Sequence, residues 1–253
     1  MNIKKIVTSI LACVVCAGIA VASAGCGCQK SKSTSGSGNN GDAQTSGRIY
    51  RNYPTDPDLT QGDFGYYFLN DKEYKVTVYN GNSKNITIPS TVDGARIKVI
   101  DTSLFRNSDI ESVTIPDSIN EIRDYAFAGC HELKEVVIPE GVTVIGQNAF
   151  WDCPKLEKIT LPSSLKKVGE YAFSHTGITS ITIPESETFV KLNRYVFYQN
   201  ENLKEVVLPL SMTTIADDTF AECSSDLTIT AYTGSFGASY AKTHHIALNE
   251  LPR

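Results

Sequence analysis

Residues 141–150 read Gly-Val-Thr-Val-Ile-Gly-Gln-Asn-Ala-Phe, and this stretch is one copy of a unit that recurs along the chain. Pro116, Pro139 and Pro162 stand 23 residues apart, and each precedes a phenylalanine by 11 residues. A fixed period in this range is typical of a solenoid, in which each repeat buries its apolar face only against its neighbours. The sequence therefore predicts a single repeat body in place of two ordinary globular domains.

Six repeat units align on the proline and the phenylalanine. They span residues 85–108, 110–131, 133–154, 156–176, 178–200 and 203–223. Each unit starts with alternating apolar and variable positions, which is typical of a short strand with one buried face. Proline ends the strand because it has no amide hydrogen to donate. The apolar residues that follow, and above all the phenylalanine, are predicted to stack from repeat to repeat into a continuous core.

Two units depart from the regular spacing. The distance from proline to phenylalanine grows to 16 residues after Pro89 and to 13 residues after Pro184. We expect the five and two extra residues to leave the solenoid as loops. Such deviations are the first places to look for features specific to this protein.

The repeated pattern L-x-x-V-x-I-P, followed by I-x-x-I-G-x-x-A-F-x-x-C, closely resembles the BspA-like class of bacterial leucine-rich repeats. The resemblance implies a leucine-rich-repeat solenoid with short parallel β-strands on one face and irregular turns or short helical segments on the other. Residues 49–84 are expected to form a loose extension and a β-hairpin cap, and residues 85–226 the repeats. Residues 227–253 are expected to form a C-terminal cap of one strand and one helix. Caps are needed because terminal repeats would otherwise expose an edge and an open core.

Residues 1–26 have the pattern of an export signal: Lys4 and Lys5 come first, an uncharged apolar stretch follows, and small residues lead to Cys26. This resembles a bacterial lipoprotein signal, in which Cys26 becomes the lipidated N-terminus. Residues 22–24, Ala-Ser-Ala, would also suit an ordinary secretory peptidase, and an uncleaved anchor is a third alternative, since about 20 apolar residues span a bilayer. Residues 27–48 are rich in glycine and serine, which is typical of a flexible tether.

The charge balance argues against some classes of partner. The net charge is −5, and removal of residues 1–26 leaves 21 basic and 28 acidic residues. Without a run of lysine or arginine, neither nucleic acid nor anionic lipid is expected to bind electrostatically. We expect an extracellular protein or glycan as partner, and membrane attachment only through an N-terminal lipid. The oligomeric state stays open.

Three cysteines share one slot of the repeat. Cys130, Cys153 and Cys223 each follow the core phenylalanine by three residues, and other repeats have serine, threonine or asparagine there. One interpretation is a small, buried polar position whose side chain satisfies backbone amides of the turn. The other is a disulfide between Cys130 and Cys153, because neighbouring strands lie about 4.8 Å apart and an extracytoplasmic setting permits it.

No residue pattern indicates an enzyme, a metal site or a cofactor. The repeats contain no Cys-x-x-Cys pair and no cluster of histidine and cysteine. No motif places a serine or cysteine nucleophile beside His131 or His175. We therefore predict a protein without catalytic activity.

The outward side of the predicted sheet is the candidate ligand face. Its central column consists of Thr87, Thr114, Val137, Thr160, Thr182, Val207 and Thr228. The flanking columns contribute Ser112, Glu135, Lys158, Ser180 and Glu205 on one side and Asp117, Glu140, Ser163 and Glu185 on the other. A β-branched ladder with solvated neighbours explains these columns without a ligand. The functional alternative is a binding face, since solenoids characteristically bind on their extended concave side.

The family resemblance implies a function in binding or adhesion at the bacterial cell surface. A lipid-anchored module would present its sheet face to a protein or glycan, and free secretion is the alternative location. Two other functions fit the same sequence. One is a structural subunit of the envelope that docks another membrane or wall component, and the other is an accessory to a separate hydrolase.

Overall fold

One short strand per repeat, ended by a proline, is the element from which this protein is built. The computed structural model describes residues 57–70 and 72–253, and within them it has 18 strands and one helix. In chain order these are β1 (Leu59–Gln61), β2 (Phe64–Asn70), β3 (Glu73–Tyr79), β4 (Asn85–Thr87), β5 (Thr91–Val92), β6 (Ala95–Ile100), β7 (Ser112–Thr114), β8 (Glu121–Ile122), β9 (Glu135–Val137), β10 (Val144–Ile145), β11 (Lys158–Thr160), β12 (Lys167–Val168), β13 (Ser180–Thr182), β14 (Lys191–Leu192), β15 (Glu205–Val207), β16 (Thr214–Ile215), β17 (Thr228–Tyr232), α1 (Phe236–Thr243) and β18 (Ala247–Leu251).

The three-residue strands form the predicted parallel sheet. β4, β7, β9 and β11 pair in sequence order, and β13, β15, β17 and β18 form a second sheet of four. In β9 the middle residue Val136 is buried, whereas Glu135 and Val137 are exposed. We call the outward side of β4, β7, β9, β11, β13 and β15 the sheet face. The predicted solenoid and its parallel strands are confirmed.

A second ladder of parallel strands runs along the solenoid. It consists of the two-residue strands β8, β10 and β12, which continue β6 and the N-terminal strands β1–β3, and of the separate pair β14–β16. The sequence predicted irregular turns outside the sheet face and did not predict this ladder. Two residues are too few to show an alternation of apolar and polar side chains.

The core is a column of six phenylalanine rings, one from each repeat. Consecutive rings from Phe105 to Phe220 lie 5.0–5.8 Å apart between centroids, and their planes differ by no more than 18°. Tyr79 of β3 contacts the first ring at 5.6 Å, and Tyr240 of α1 contacts the last at 6.1 Å. The caps therefore end the column with aromatic rings.

The two ladders are both interrupted between the fourth and fifth repeats. In the described residues β11 does not pair with β13, and β12 does not pair with β14. The repeat length changes here, because the turn at Gly177 is one residue short and the segment after Pro184 has two extra residues. The phenylalanine column continues across the break, with 5.8 Å from Phe173 to Phe197.

Three local expectations were wrong. Part of the extension expected to be loose forms β1, which pairs with β2. The extra residues after Pro89 form the antiparallel pair β5–β6, whose turn residues Asp93 and Gly94 both have positive φ, so they fold back onto the sheet and do not leave it as a loop. The insertion after Pro184 places Phe189 in the core, where it is 1 % exposed.

The ends of the chain otherwise follow the prediction, with one addition. The hairpin β2–β3 and the strand β17 are present, and Ser235 caps α1 by accepting a hydrogen bond from the Ala238 amide. A further strand, β18, pairs in parallel with β17 and was not predicted. Among the described residues, none of the helices has the length and apolar character needed to cross a membrane.

Candidate functional site

The sheet face contains the residues predicted to bind a ligand. The register places Glu135 beside Lys158 and Val137 beside Thr160, so the predicted columns are real rows of side chains. Of the fourteen side chains predicted to form the ligand face along β7 to β15, thirteen are exposed and Val207 is half-buried. One position of the central column was wrong: Thr228 pairs with Glu205, and the column ends at the buried Thr230. β17 starts later than the repeat alignment assumed, because it lacks the proline that fixes the other strands.

A groove crosses the sheet face over β7, β9 and β11. Its volume is about 860 Å³. The groove is lined by Ser112, Val113, Thr114, Ile115, Asp117, Glu135, Val137, Ile138, Pro139, Glu140, Thr160, Leu161 and Pro162. Seven of the predicted residues are among them, and the other seven lie outside: Lys158, Ser163, Ser180, Thr182, Glu185, Glu205 and Val207. The groove therefore contains half of the predicted ligand-face residues, and the prediction that they bind a ligand stays a prediction.

The middle of the groove is apolar and its sides are acidic. Val137 is 56 % exposed and lies between Thr114 and Thr160. Glu135 flanks it at the start of the strand, whereas Asp117 and Glu140 follow the strand ends on neighbouring repeats. An exposed valine bordered by carboxylates is the feature that distinguishes this part of the sheet face.

Two of the predicted glutamates also hold neighbouring repeats together. Glu140 accepts hydrogen bonds from the Ser163 amide at 3.1 Å and the Ser163 hydroxyl at 3.2 Å. Glu185 accepts from the amides of Leu210 at 2.6 Å and Ser211 at 3.2 Å. Desolvation raises the pKa of Glu185, but hydrogen bonds from Ser211 and Leu210 outweigh it, so the pKa lies below its usual value. Sequence reasoning missed this structural role, because the partners lie 23–26 residues away.

The same five residues occur once inside the groove and once outside it. Residues 133–137 and residues 203–207 both read Leu-Lys-Glu-Val-Val, and they occupy the same position in two repeats. Only the first copy contributes its glutamate and its second valine, Glu135 and Val137, to the groove. Glu205 and Val207 are therefore matched controls provided by the chain itself.

The cysteine slot is a position for hydrogen-bond donors. Cys130, Cys153 and Cys223 are free thiols. Each Sγ lies 3.0–3.2 Å from the carbonyl oxygen of the phenylalanine in the preceding repeat. The sequence predicted that the side chain in this slot accepts hydrogen bonds from backbone amides. This was wrong for the three cysteines, because their thiols donate to backbone carbonyls. Burial raises the pKa of the Cys153 thiol well above its usual value and that of Cys223 to about 11.

Two histidines meet one aspartate on the turn side. Asp152 lies 2.7 Å from Nδ1 of His175 and 3.1 Å from Nε2 of His131. Both histidines are largely exposed. The sequence could not indicate this group, because the three residues come from successive repeats. Within residues 57–70 and 72–253, no cluster of three or more His, Cys, Asp or Glu side chains could hold a metal ion.

A second depression lies on the ladder of two-residue strands. It has a volume of about 610 Å³ and is lined by Thr102, Glu121, Arg123, Asp124, Val144, Gly146, Gln147, Lys167, Gly169, Glu170 and Asn193. Gly169 is required there because a Cβ atom would lie 2.4 Å from the Gln147 amide nitrogen. Its charged residues have both signs, so it favours no ligand by charge.

Comparison with known proteins decides the family. The sequence pattern of the BspA type leucine rich repeat region matches residues 98–227, in six copies. The chain belongs to this family. The resemblance inferred from the spacing of proline and phenylalanine is thus confirmed. No curated protein sequence matches this BspA-type protein.

Solved structures of leucine-rich repeat proteins are similar to this BspA-type protein to different degrees. A leucine rich repeat protein of T. pallidum is 20 % identical, with 74 % of this chain and 95 % of that chain covered and a TM-score of 0.57. A leucine rich cell surface protein of Faecalibacterium prausnitzii is 18 % identical, covering 77 % and 94 %, with a TM-score of 0.33. The pneumococcal vaccine antigen PcpA is 15 % identical, covering 79 % and 100 %, with a TM-score of 0.32. At 20 % identity, the similarity to the T. pallidum protein concerns the fold alone.

Proposed function

We propose that this BspA-type protein is a non-catalytic binding module at the bacterial cell surface, and that the groove over β7, β9 and β11 receives a protein or glycan ligand. The observation that carries the proposal is the exposed apolar floor at Val137, bordered by polar side chains. Ligand sites are typically concave, apolar in the middle and lined by a few polar groups. The groove also lies on the side of the repeats that solenoids characteristically use for binding.

We propose further that residues 1–26 direct export and that Cys26 carries the lipid, with residues 27–48 as the tether. Residues 1–48 lie outside the described residues, so this proposal rests on the sequence alone. Mass spectrometry of the mature protein tests them: a lipid-modified N-terminus at Cys26 is expected, and it should disappear in Cys26→Ser. An unmodified N-terminus just after residue 24 would instead identify a freely secreted protein.

The binding function is tested with the soluble fragment of residues 48–253. We expect saturable binding to one of three panels: host and matrix proteins, glycans, or envelope material of the producing cell. Thr160→Trp should abolish this binding by filling the groove, whereas Thr182→Trp, in the same column of β13, should leave it intact. The proposal fails when no panel gives saturable binding, or when both variants bind as the parent fragment does. Binding to the producing cell's own envelope alone would favour the structural subunit.

A further inference from the structure

The groove has a chemical character that selects among ligands, and the selection rests on the binding function proposed above. Its titratable lining residues are Asp117, Glu135 and Glu140, and all three are acidic. Lys158 lies beside Glu135 in the register but does not line the groove. We infer that the groove binds an extended polypeptide segment that carries lysine or arginine side chains.

The apolar floor favours a polypeptide over a sugar. Of the described residues that line the groove, none has an aromatic ring, so a sugar would find no flat apolar surface on which to stack. Val137, at 56 % exposure, instead offers a small aliphatic surface that a valine or a lysine stem can cover. Burial of this surface contributes to affinity in proportion to the apolar area removed from water.

The length of the groove suits a short extended segment of polypeptide. It crosses three neighbouring strands, which lie about 4.8 Å apart, so its middle is about 10 Å long. An extended segment advances about 3.3 Å per residue and turns alternate side chains to the same side. Three or four residues therefore cover the distance from Thr114 to Thr160, with alternate side chains on the floor and at the flanks.

The carboxylates lie where the side chains of such a segment would end. Asp117 and Glu140 stand on neighbouring repeats beyond the strand ends, and Glu135 stands on the opposite flank. Glu140 is held in place by two hydrogen bonds from Ser163, which fixes its orientation before a ligand arrives. A carboxylate has about four lone-pair sites, so Glu140 retains the capacity to accept from an ammonium or guanidinium group.

Charge also determines what the groove rejects. Acidic peptides and anionic glycans would meet like charges, which costs affinity and slows association. Even if Lys158 is counted with the groove, the four side chains carry a net charge of −2 at neutral pH. The selection is therefore for cationic segments, and it weakens as salt screens exposed charges.

Three nine-residue peptides test the inference on the soluble fragment of residues 48–253: alternating lysine and valine, serine and valine, and glutamate and valine. Fluorescence anisotropy measures each affinity at low and high salt. The lysine peptide should bind at least about tenfold more tightly than the serine peptide and lose this advantage at high salt, since the Debye length falls to about 3 Å at 1 M. The glutamate peptide should bind most weakly.

Two variants test whether the preference for the lysine peptide arises in the groove. The double variant Asp117→Asn/Glu135→Gln should reduce the affinity for the lysine peptide at least fivefold, while Glu205→Gln, in the second copy of the same five residues, should leave it within about twofold, because the site is local. Equal binding of the lysine and serine peptides would overturn the inference and leave the groove as a site for uncharged ligands. An equal loss in Glu205→Gln would also overturn it, because general surface charge would then explain the binding. If the parent fragment binds none of the three peptides, only this inference is contradicted. The binding function proposed above is tested separately with the three ligand panels.

Discussion

The side chain of Asn200 donates a hydrogen bond from Nδ2 to the carbonyl oxygen of Phe173, 2.9 Å away, across the break in both strand ladders. Its Oδ1 accepts from the Thr176 amide at 2.8 Å and lies 3.2 Å from the Thr176 hydroxyl. Asn200 is fully buried and Thr176 nearly so. The side-chain amide of Asn200 thus forms hydrogen bonds with three groups of the neighbouring repeat, at the point where strand pairing is absent.

Asn200→Leu should therefore lower the free energy of unfolding substantially. It leaves the Thr176 amide buried without a partner, which costs about 1–3 kcal/mol, and it leaves the Phe173 carbonyl with only the Thr176 hydroxyl as donor. Asn200→Cys should cost less, because cysteine donates to the same carbonyl in three other repeats. Urea unfolding measures the difference, with the exposed Asn202→Ala as control. Equal stability of Asn200→Leu and Asn202→Ala would contradict the role assigned to Asn200.

Phe150 lies in the middle of the aromatic column and is fully buried. Phe150→Ala should lower the free energy of unfolding by about 3–5 kcal/mol through lost burial and a cavity. Trp151→Ala, at the neighbouring position with 36 % exposure, should cost clearly less. Thermal unfolding compares the two variants, and an unchanged midpoint for Phe150→Ala would show that the repeat register is wrong.

The thiols of the repeat slot should be present but slow to react. The fragment of residues 48–253 contains three cysteines, and burial raises the pKa values of Cys153 and Cys223. Because the thiolate is the reactive form, a disulfide reagent at pH 8 should modify them slowly in the folded protein. After unfolding without reductant, three thiols per molecule should react. A count of one would instead reveal a bridge between Cys130 and Cys153.

Glu185 should make stability depend on pH in the acidic range. Its pKa is lowered on folding from the ordinary value of 4.5, so it stabilises the folded state above that pH. The contribution is lost as the pH falls through the lower, folded pKa. Glu185→Gln should therefore be less stable than the parent at pH 7 and equal to it near pH 2. A deficit that persisted unchanged at pH 2 would contradict this, and Glu187→Gln, an exposed neighbour, is the control.

The sequence alone was sufficient to predict the structural elements that recur in each repeat. The spacing of Pro139 and Phe150 predicted the strand, its end and the core column, because each position recurs in a similar environment. The sheet face followed from the same alignment, since the alternation around Val136 fixes which side chains point outward.

What the sequence did not reveal depends on contacts between repeats. The groove over β7, β9 and β11 and the hydrogen bonds of Glu140 and Glu185 join residues more than 20 positions apart. The hairpin after Pro89 was missed because an insertion was assumed to lie outside the sheet, although Asp93-Gly94 is a typical hairpin turn. The interruption at Gly177 likewise becomes visible only when the two ladders are followed through space.

The comparison of Val137→Arg with Val207→Arg tests the central claim most directly, since both valines end the same five-residue sequence and only Val137 lines the groove. Binding of each variant to the ligand selected by the panels is measured by calorimetry, after confirming equal thermal stability. We expect Val137→Arg to abolish binding and Val207→Arg to bind as the parent fragment does. Equal binding by the two variants would show that the groove over β7, β9 and β11 is not the site.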